Sequence, residues 1–281
     1  MCAFKRKYFL NDNYFENIDN EEKAYWLGFI SADGCVRIIQ KKKKNGEFGK
    51  QSYVFSMQLA KKDKIHLEKL LKALNSTHKI FYCEKNQSYG IAICSKIFCI
   101  HLINQGIIPK KSLILKPNKN ISYDLKKHFI RGYFDGDGCI SIPNNNPIKV
   151  NLKILGTKEI LEWIKDYSLQ NNLNFLTFKK RNNIFSLECQ GRIKGQKFYQ
   201  IFIEHSNVFL ERKKEKFDKI FKEYSFKDNR KKIQKLDVHN NVTVYNSITE
   251  AENENNIYPD DLRKVLKREN KKYKNCTWSY A

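Results

Sequence analysis

The sequence predicts an α+β protein of 281 residues, built from two pseudo-symmetric αββαββα repeats followed by a small, mainly helical C-terminal module. Three observations predict this. AYWLGFISADGCVRI at 24–38 returns 104 residues later as HFIRGYFDGDGCISI at 128–142, placing Gly28 on Gly132, Asp33 on Asp137, Gly34 on Gly138 and Cys35 on Cys139. After each copy the hydrophobic period changes between that of a strand and that of a helix in the same order. From about residue 225 the chain changes character. The divisions read as a first repeat at 1–106, a linker at 107–124, a second repeat at 125–224, a basic linker at 225–241 and the module at 242–281.

Each repeat opens with a helix-like run ending in Asp-Gly, where the glycine suits a left-handed cap. In the first, CVRIIQ and QSYVFSMQLA then flank a loop with Lys41 to Lys44 and Asn45-Gly46, a hairpin signature. In the second, CISI and IKVNLKI flank PNNNP, with Ile148, Val150, Leu152 and Ile154 on an apolar face and Lys149, Asn151 and Lys153 on a basic one. A helix follows in both, through Leu67, Leu70, Leu71 and Leu74 and through Ile160, Leu161, Ile164 and Tyr167, the latter capped by Thr157. Two short strands come next, around 79–94 and 174–190. The closing helix starts near Ser95 and stops at Gly106 in the first repeat, and runs through FYQIFIEHSNVFLERKKEKF in the second.

Lys plus Arg number 53 against 30 Asp plus Glu, a net charge of +23 that points to a polyanionic partner. No apolar run reaches membrane-spanning length and the N-terminus has no signal-peptide core, so an intracellular protein is expected. Eight cysteines without a CxxC pair read as reduced thiols, mostly packed as small hydrophobes. Cys94, Cys99 and His101 lack a second pair at zinc-finger spacing, and the six scattered histidines read as surface or packing residues.

The repeated motif has a physical logic. Gly28 and Gly132 lie inside helices, where glycine costs about 1 kcal/mol relative to alanine, which suggests two helices approaching Gly against Gly. Such packing sets Asp33 and Asp137 side by side at helix C-termini, which welcome cations. Two adjacent carboxylates call for a divalent cation such as Mg²⁺, which binds through one or two carboxylates plus waters and phosphate oxygens. With a phosphodiester bound, that is a metal-assisted hydrolysis site.

LGFISADG at 27–34 and RGYFDGDG at 131–138 resemble the paired signatures of the LAGLIDADG homing endonucleases in their single-chain, two-repeat form. GIIPKKS at 106–112 and FLERK at 209–213 are also segments of the family's kind, so the resemblance spans roughly residues 8–224. It implies antiparallel β-saddles in the DNA major groove, with the signature helices at the pseudo-two-fold interface. It also implies Mg²⁺-dependent cleavage of both strands of a long target, with Mn²⁺ as substitute metal and short 3′ overhangs as product. Asp33 and Asp137 fall on the family's metal-binding acids, and Ser31, where many members have Asp, on a position that faces the fold. The family's basic residue near the metals suggests Lys96 in the first repeat and Arg192 or Lys194 in the second. Lys149, Asn151 and Lys153 become candidate DNA contacts. The alternative within the same fold is an intron RNA maturase, binding its own intron RNA, or a DNA-binding regulator.

The C-terminal stretch opens with VTVY and then Ser247-x-x-Glu250, a capping-box signature; a second helix starts at Pro259 with Leu262, Val265 and Leu266 inward. Arg263, Lys264, Lys267 and Arg268 line or adjoin that helix, as a groove-reading helix requires. The segment resembles the modular helix-turn-helix domains appended to intron-encoded nucleases, ending in a strand at Trp278 and Tyr280. KDNRKKIQK within the linker would track phosphates. The chain starts at Met1 and ends in TWSYA with no His-Asn splice junction, so an intron-encoded or free-standing gene is expected rather than an intein, acting as a monomer.

Overall fold

The computed structural model describes residues 7–42, 46–143, 149–174, 177–181, 184–223, 231–258, 260–268 and 271–281. Pro259, Ile148, Lys43, Lys44 and Asn45, with most of the PNNNP turn, lie outside them. The chain divides into two compact units, Met1–Tyr224 and Ser225–Ala281, each with its own core.

The first unit is the duplicated αββαββα arrangement. Its first half runs α1 (Glu21–Asp33), β1 (Gly34–Lys42), β2 (Phe48–Ala60), α2 (Lys64–Ala73), β3 (Phe81–Cys83), β4 (Ser88–Cys94) and α3 (Lys96–Asn104). The second runs α4 (Tyr123–Asp137), β5 (Gly138–Ser141), β6 (Asn151–Gly156), α5 (Lys158–Gln170), β7 (Thr177–Arg181), β8 (Ile184–Gln190) and α6 (Arg192–Phe202), with a further helix α7 (Glu211–Asp218). The two antiparallel sheets have the same order, β1-β2-β4-β3 and β5-β6-β8-β7. Caps delimit the helices: Asn20, Ser95 and Thr157 side chains accept the N–H groups of Lys23, Phe98 and Ile160. Val150, Leu152 and Ile154 are buried while Lys149 is exposed, so β6 presents its apolar side to the core.

Three local expectations differ from the structure. Gly34 and Gly138 end their helices with φ of −78° and −95°, extended rather than left-handed, because the chain passes straight from helix into strand. What they supply is space: a Cβ on Gly34 would stand 2.7 Å from the Ile30 side chain, and one on Gly138 would meet the Phe134 carbonyl and ring. The closing helix of the second repeat is not continuous but breaks between Phe202 and Glu211. Tertiary bonds from α4 replace helical ones there. Arg131 donates to the carbonyls of Phe202 at 3.2 Å and Val208 at 2.8 Å, and the Leu210 N–H donates to Asp135 at 2.7 Å. Finally, among the described cysteines only Cys99 and Cys189 are buried, whereas Cys35, Cys94 and Cys139 are exposed on strands or strand ends.

The second unit is not mainly helical. It has a four-stranded antiparallel sheet of β9 (Ile233–Leu236), β10 (Val242–Tyr245), β11 (Lys272–Tyr273) and β12 (Cys276–Tyr280), in the order β10-β9-β12-β11. Two short helices, α8 (Ile248–Glu254) and α9 (Asp261–Leu266), pack Ala251, Leu262, Val265 and Leu266 with Ile233, Tyr245 and Trp278. The stretch 225–241 thus contributes a central strand, β9, whose Ile233 is fully buried. Ser247 caps α8 by accepting from the Glu250 N–H, and Glu250 reaches back to the Asn246 N–H at 2.6 Å.

Candidate active site

Helices α1 and α4 face one another through the middle of the first unit, and every α1 residue from Ala24 to Ser31 is buried. Close approach depends on glycine. A Cβ on Gly28 would overlap the Phe129 carbonyl, and one on Gly132 would overlap the Tyr25 carbonyl, so each glycine lies on the other helix's backbone one turn before its counterpart. Asp33 and Asp137 are the last residues of these helices. Gly136 continues the contact: its Cβ would crowd Ala32 and stand 3.2 Å from an Asp33 carboxylate oxygen.

The two carboxylates therefore share one small space. Burial first, and then the charge of Asp137, push the Asp33 carboxyl up to about 6, and burial raises Asp137 as well. Asp33 remains open on one side to a depression also lined by Cys35, Arg37, Ser56, Met57 and Gln58 on the first sheet. Tyr133, whose hydroxyl donates to the Leu155 carbonyl at 3.1 Å, also lies beside Asp137 and has its own ionisation pushed far up by burial.

Two buried lysines oppose the acids. Lys111 opens a single 3₁₀ turn in the segment joining the repeats and donates to the Ala32 carbonyl at 3.0 Å, at the C-terminal end of α1. Lys213 on α7 donates to the carbonyls of Phe134, Asp135 and Gly138 at 2.6, 2.7 and 2.6 Å, at the end of α4. The fields of both bear on both carboxylates. Burial brings Lys213 down to about 8 and lowers Lys111 too, against the acids, which hold the protons on. Sequence reasoning did not assign either lysine. A signal was present: they follow Asp33 and Asp137 by 78 and 76 residues, within GIIPKKS and at the end of FLERK.

Of the basic residues assigned from the sequence, Lys96 is exposed on the first turn of α3, its ammonium 5.9 Å from the Tyr53 ring. Arg192 and Lys194 occupy the first turn of α6, Arg192 buried over the Phe221 ring and Lys194 half-buried. The motif position before the acids is structural in both halves. Ser31 donates to the Leu27 carbonyl at 2.7 Å, and its counterpart Asp135 is buried, accepting from Tyr25 Oη and the Leu210 N–H, both at 2.7 Å. His66, also buried, packs among Trp26 and Phe29 and lies 3.0 Å from Tyr25 Oη.

Lys149 and Asn151 remain accessible at the start of β6, while Lys153 pairs with Glu188 at 3.2 Å. In the second unit Arg263, Lys264, Lys267 and Arg268 are all exposed, Arg263 and Lys264 pairing with Asp260 and Asp261 at the start of the same short helix.

Residues 26–127 match the family model for the LAGLIDADG endonuclease, and the second half repeats the same topology with its own DGDG motif. The family match thus lies in the first repeat and the segment that follows it. Solved structures share the fold. The LAGLIDADG meganuclease I-AabMI bound to uncleaved DNA aligns with a TM-score of 0.50 at 16% identity, over 72% of this chain and 89% of its own. Meganuclease I-SmaMI, bound to uncleavable DNA, aligns with a TM-score of 0.51 at 16% identity over 70% and 88%. The I-LtrWI LAGLIDADG homing endonuclease, bound to target DNA, aligns with a TM-score of 0.50 at 15% identity over 75% and 89%. No curated protein sequence matches the chain. No described group of three or more His, Cys, Asp or Glu side chains could hold a metal ion, and no described helix is long and apolar enough to cross a membrane.

Proposed function

We propose that this chain is a LAGLIDADG homing endonuclease, a monomeric, site-specific enzyme that hydrolyses both strands of a long duplex DNA target with Mg²⁺ and leaves short 3′ overhangs. The observation that carries the reading is the pair Asp33 and Asp137, brought together at two packed helix ends beneath two sheets of equal order. Two neighbouring carboxylates, each raised above its ordinary value and Asp33 open to solvent on one side, fit a hard divalent cation whose remaining ligands are waters and phosphate oxygens. Bound there, Mg²⁺ would supply charge stabilisation of the phosphoryl oxygens and a more acidic water. Asp33 and Asp137 hold it; Lys111 and Lys213 keep positive charge beside the scissile phosphates, where negative charge develops. Lys149, Asn151 and Lys153 contact the duplex from the second sheet, and the exposed basic residues of α9 make the second unit an additional DNA reader of the helix-turn-helix kind.

The test begins with a plasmid library incubated with the protein and Mg²⁺, the ends then being sequenced; a single recurring site with short 3′ overhangs is expected. On that site Asp33→Asn and Asp137→Asn each abolish double-strand cleavage while binding in Ca²⁺ persists. Wild-type cleavage by either variant overturns the assignment of the acids.

A further inference from the structure

The two sheets of the first unit share one topology, but the rows of side chains nearest the acids differ in kind. On the face turned away from the core, Cys35 pairs across the first sheet with Ser56 and then Ala92, and Arg37 with Val54 and then Cys94. The equivalent rows of the second sheet run from Cys139 to Lys153 and Glu188, and from Ser141 to Asn151 and Gln190. Ser56 and Ala92 thus stand where the second sheet has Lys153 and Glu188, and Val54 and Cys94 where it has Asn151 and Gln190.

That difference sets what each sheet can recognise. Asn151, Lys153, Glu188 and Gln190 offer donors and acceptors, Lys153 and Glu188 being held together at 3.2 Å. The Val54 and Ala92 side chains offer neither, and Ala92 borders the depression that opens beside Asp33. Among the described residues of the two first-sheet rows, Arg37 is the one charged side chain. In the row beyond, both sheets are apolar, with Phe81 lying over Gly90 in the first and Leu155 exposed in the second, so the contrast belongs to the two rows nearest the acids. A two-stranded β-ribbon fits the major groove, where the C5-methyl of thymine is the apolar group that a base pair presents.

We infer that the first sheet, through Val54 and Ala92, reads thymine methyl groups in the half of the target it covers, whereas the second sheet reads base edges at the equivalent places by hydrogen bonds. The inference rests on the DNA-binding reading above and needs no cleavage step. A thymine methyl against either side chain buries apolar surface on both partners. A cytosine in the same place would turn its amino donor toward a side chain with nothing to accept it, and that group would lose its water without gaining a partner. One half of the target is therefore held to thymine at the base pairs near its centre, and the other half is not.

Selection of a bound site from randomised duplex in Ca²⁺ tests this with the full-length wild-type chain. One half of the site should hold thymine at fixed positions near the centre. Exchanging those thymines for deoxyuridine keeps pairing and charge and removes only the methyl; affinity should fall by about fourfold for each methyl contacted. Exchanging any thymines of the other half should change affinity by less than about twofold. Equal responses in the two halves, or a selected site without central thymine in either, overturn the inference. Val54→Asn, which gives the first sheet the residue of the second, should remove the deoxyuridine effect at its contact, and Ala92→Ser, a milder change at an exposed position, should remove it at the other. Full sensitivity kept by the folded variants puts the methyl contacts elsewhere and also overturns the inference. A protein that selects no duplex overturns the DNA-binding reading and this inference with it, whereas one that shows the asymmetry but cuts nothing overturns the nuclease reading alone.

Discussion

At the scale of single residues, the acids that would hold a cation work against the fold. Asp33 ionises at about 6 in the folded chain, above its ordinary value. A carboxyl raised in this way contributes stability below its unfolded pKa and loses that contribution as the pH climbs through about 6. Above that pH the charged form is the strained one. In EDTA at about pH 7.5, Asp33→Asn is therefore expected to melt higher than the parent, by the equivalent of about 1 kcal/mol. That is less than full linkage would give, because the side chain keeps solvent access. Near pH 4 the two proteins should melt together. A variant no more stable than the parent at the higher pH would show that the carboxylates do not strain the fold. The acids themselves were legible in the sequence, since Asp-Gly at equal places in a repeat fixes their positions. Lys111 and Lys213 were marked only by their similar spacing after the two acids, because nothing local to residues 106–112 or 209–213 says that those side chains fold back onto the helix ends.

Among the elements, the pair α1 and α4 decides the geometry. Gly28→Leu or Gly132→Leu would drive a side chain into the facing backbone, where the β-carbon alone would stand within 2.9 Å of a carbonyl carbon. Each is expected to lower stability by about 3 kcal/mol or more, at or beyond the usual range for overpacking because backbone rather than a flexible side chain is in the way. Thermal melts check this, and an unchanged melting temperature would falsify the packing. Arg131 is a second determinant. Buried on α4, it pairs with Glu21 at 2.7 Å and binds the carbonyls of Phe202 and Val208 across the break between α6 and α7. Arg131→Met leaves those carbonyls and Glu21 without their donor and should cost about 3 kcal/mol, the lower part of the range for breaking a buried pair, since Glu21 keeps the Asn207 N–H and side-chain amide. Chemical denaturation would reveal it; a drop below about 1 kcal/mol would mean the break does not depend on Arg131. The helical period of residues 198–217 contains no glycine or proline, and the break is marked instead by bonds to Glu21, Arg131 and Asp135, far away in sequence.

The whole molecule consists of two units with separate cores, Met1–Tyr224 and Ser225–Ala281. A chain ending at Tyr224 is therefore expected to keep the melting temperature of the first unit. If the second unit reads DNA, this truncation should weaken binding and make the slope of log K against log salt shallower by about 0.9 for each phosphate that the shortened chain no longer neutralises. The footprint should also shorten at one end only, because the second unit occurs once while the sheets of the first occur twice. Unchanged affinity, slope and footprint would make the segment a bystander. The net charge of +23 already pointed to a polyanion for the whole chain, but it could not apportion the phosphates between the units.

By itself the sequence determined the duplication, the order of strands and helices within each copy, and the facing glycines and terminal acids. All of these rest on local periodicity and on one segment compared with its own repeat. Tertiary structure decided three things. It chose the lysines that meet the acids, it broke the last helix where Arg131 and Asp135 bind its backbone, and it turned 233–236 into the central strand of a sheet. Each depends on partners far away in sequence, and a side chain's distant partner leaves no periodic trace in the segment that receives it.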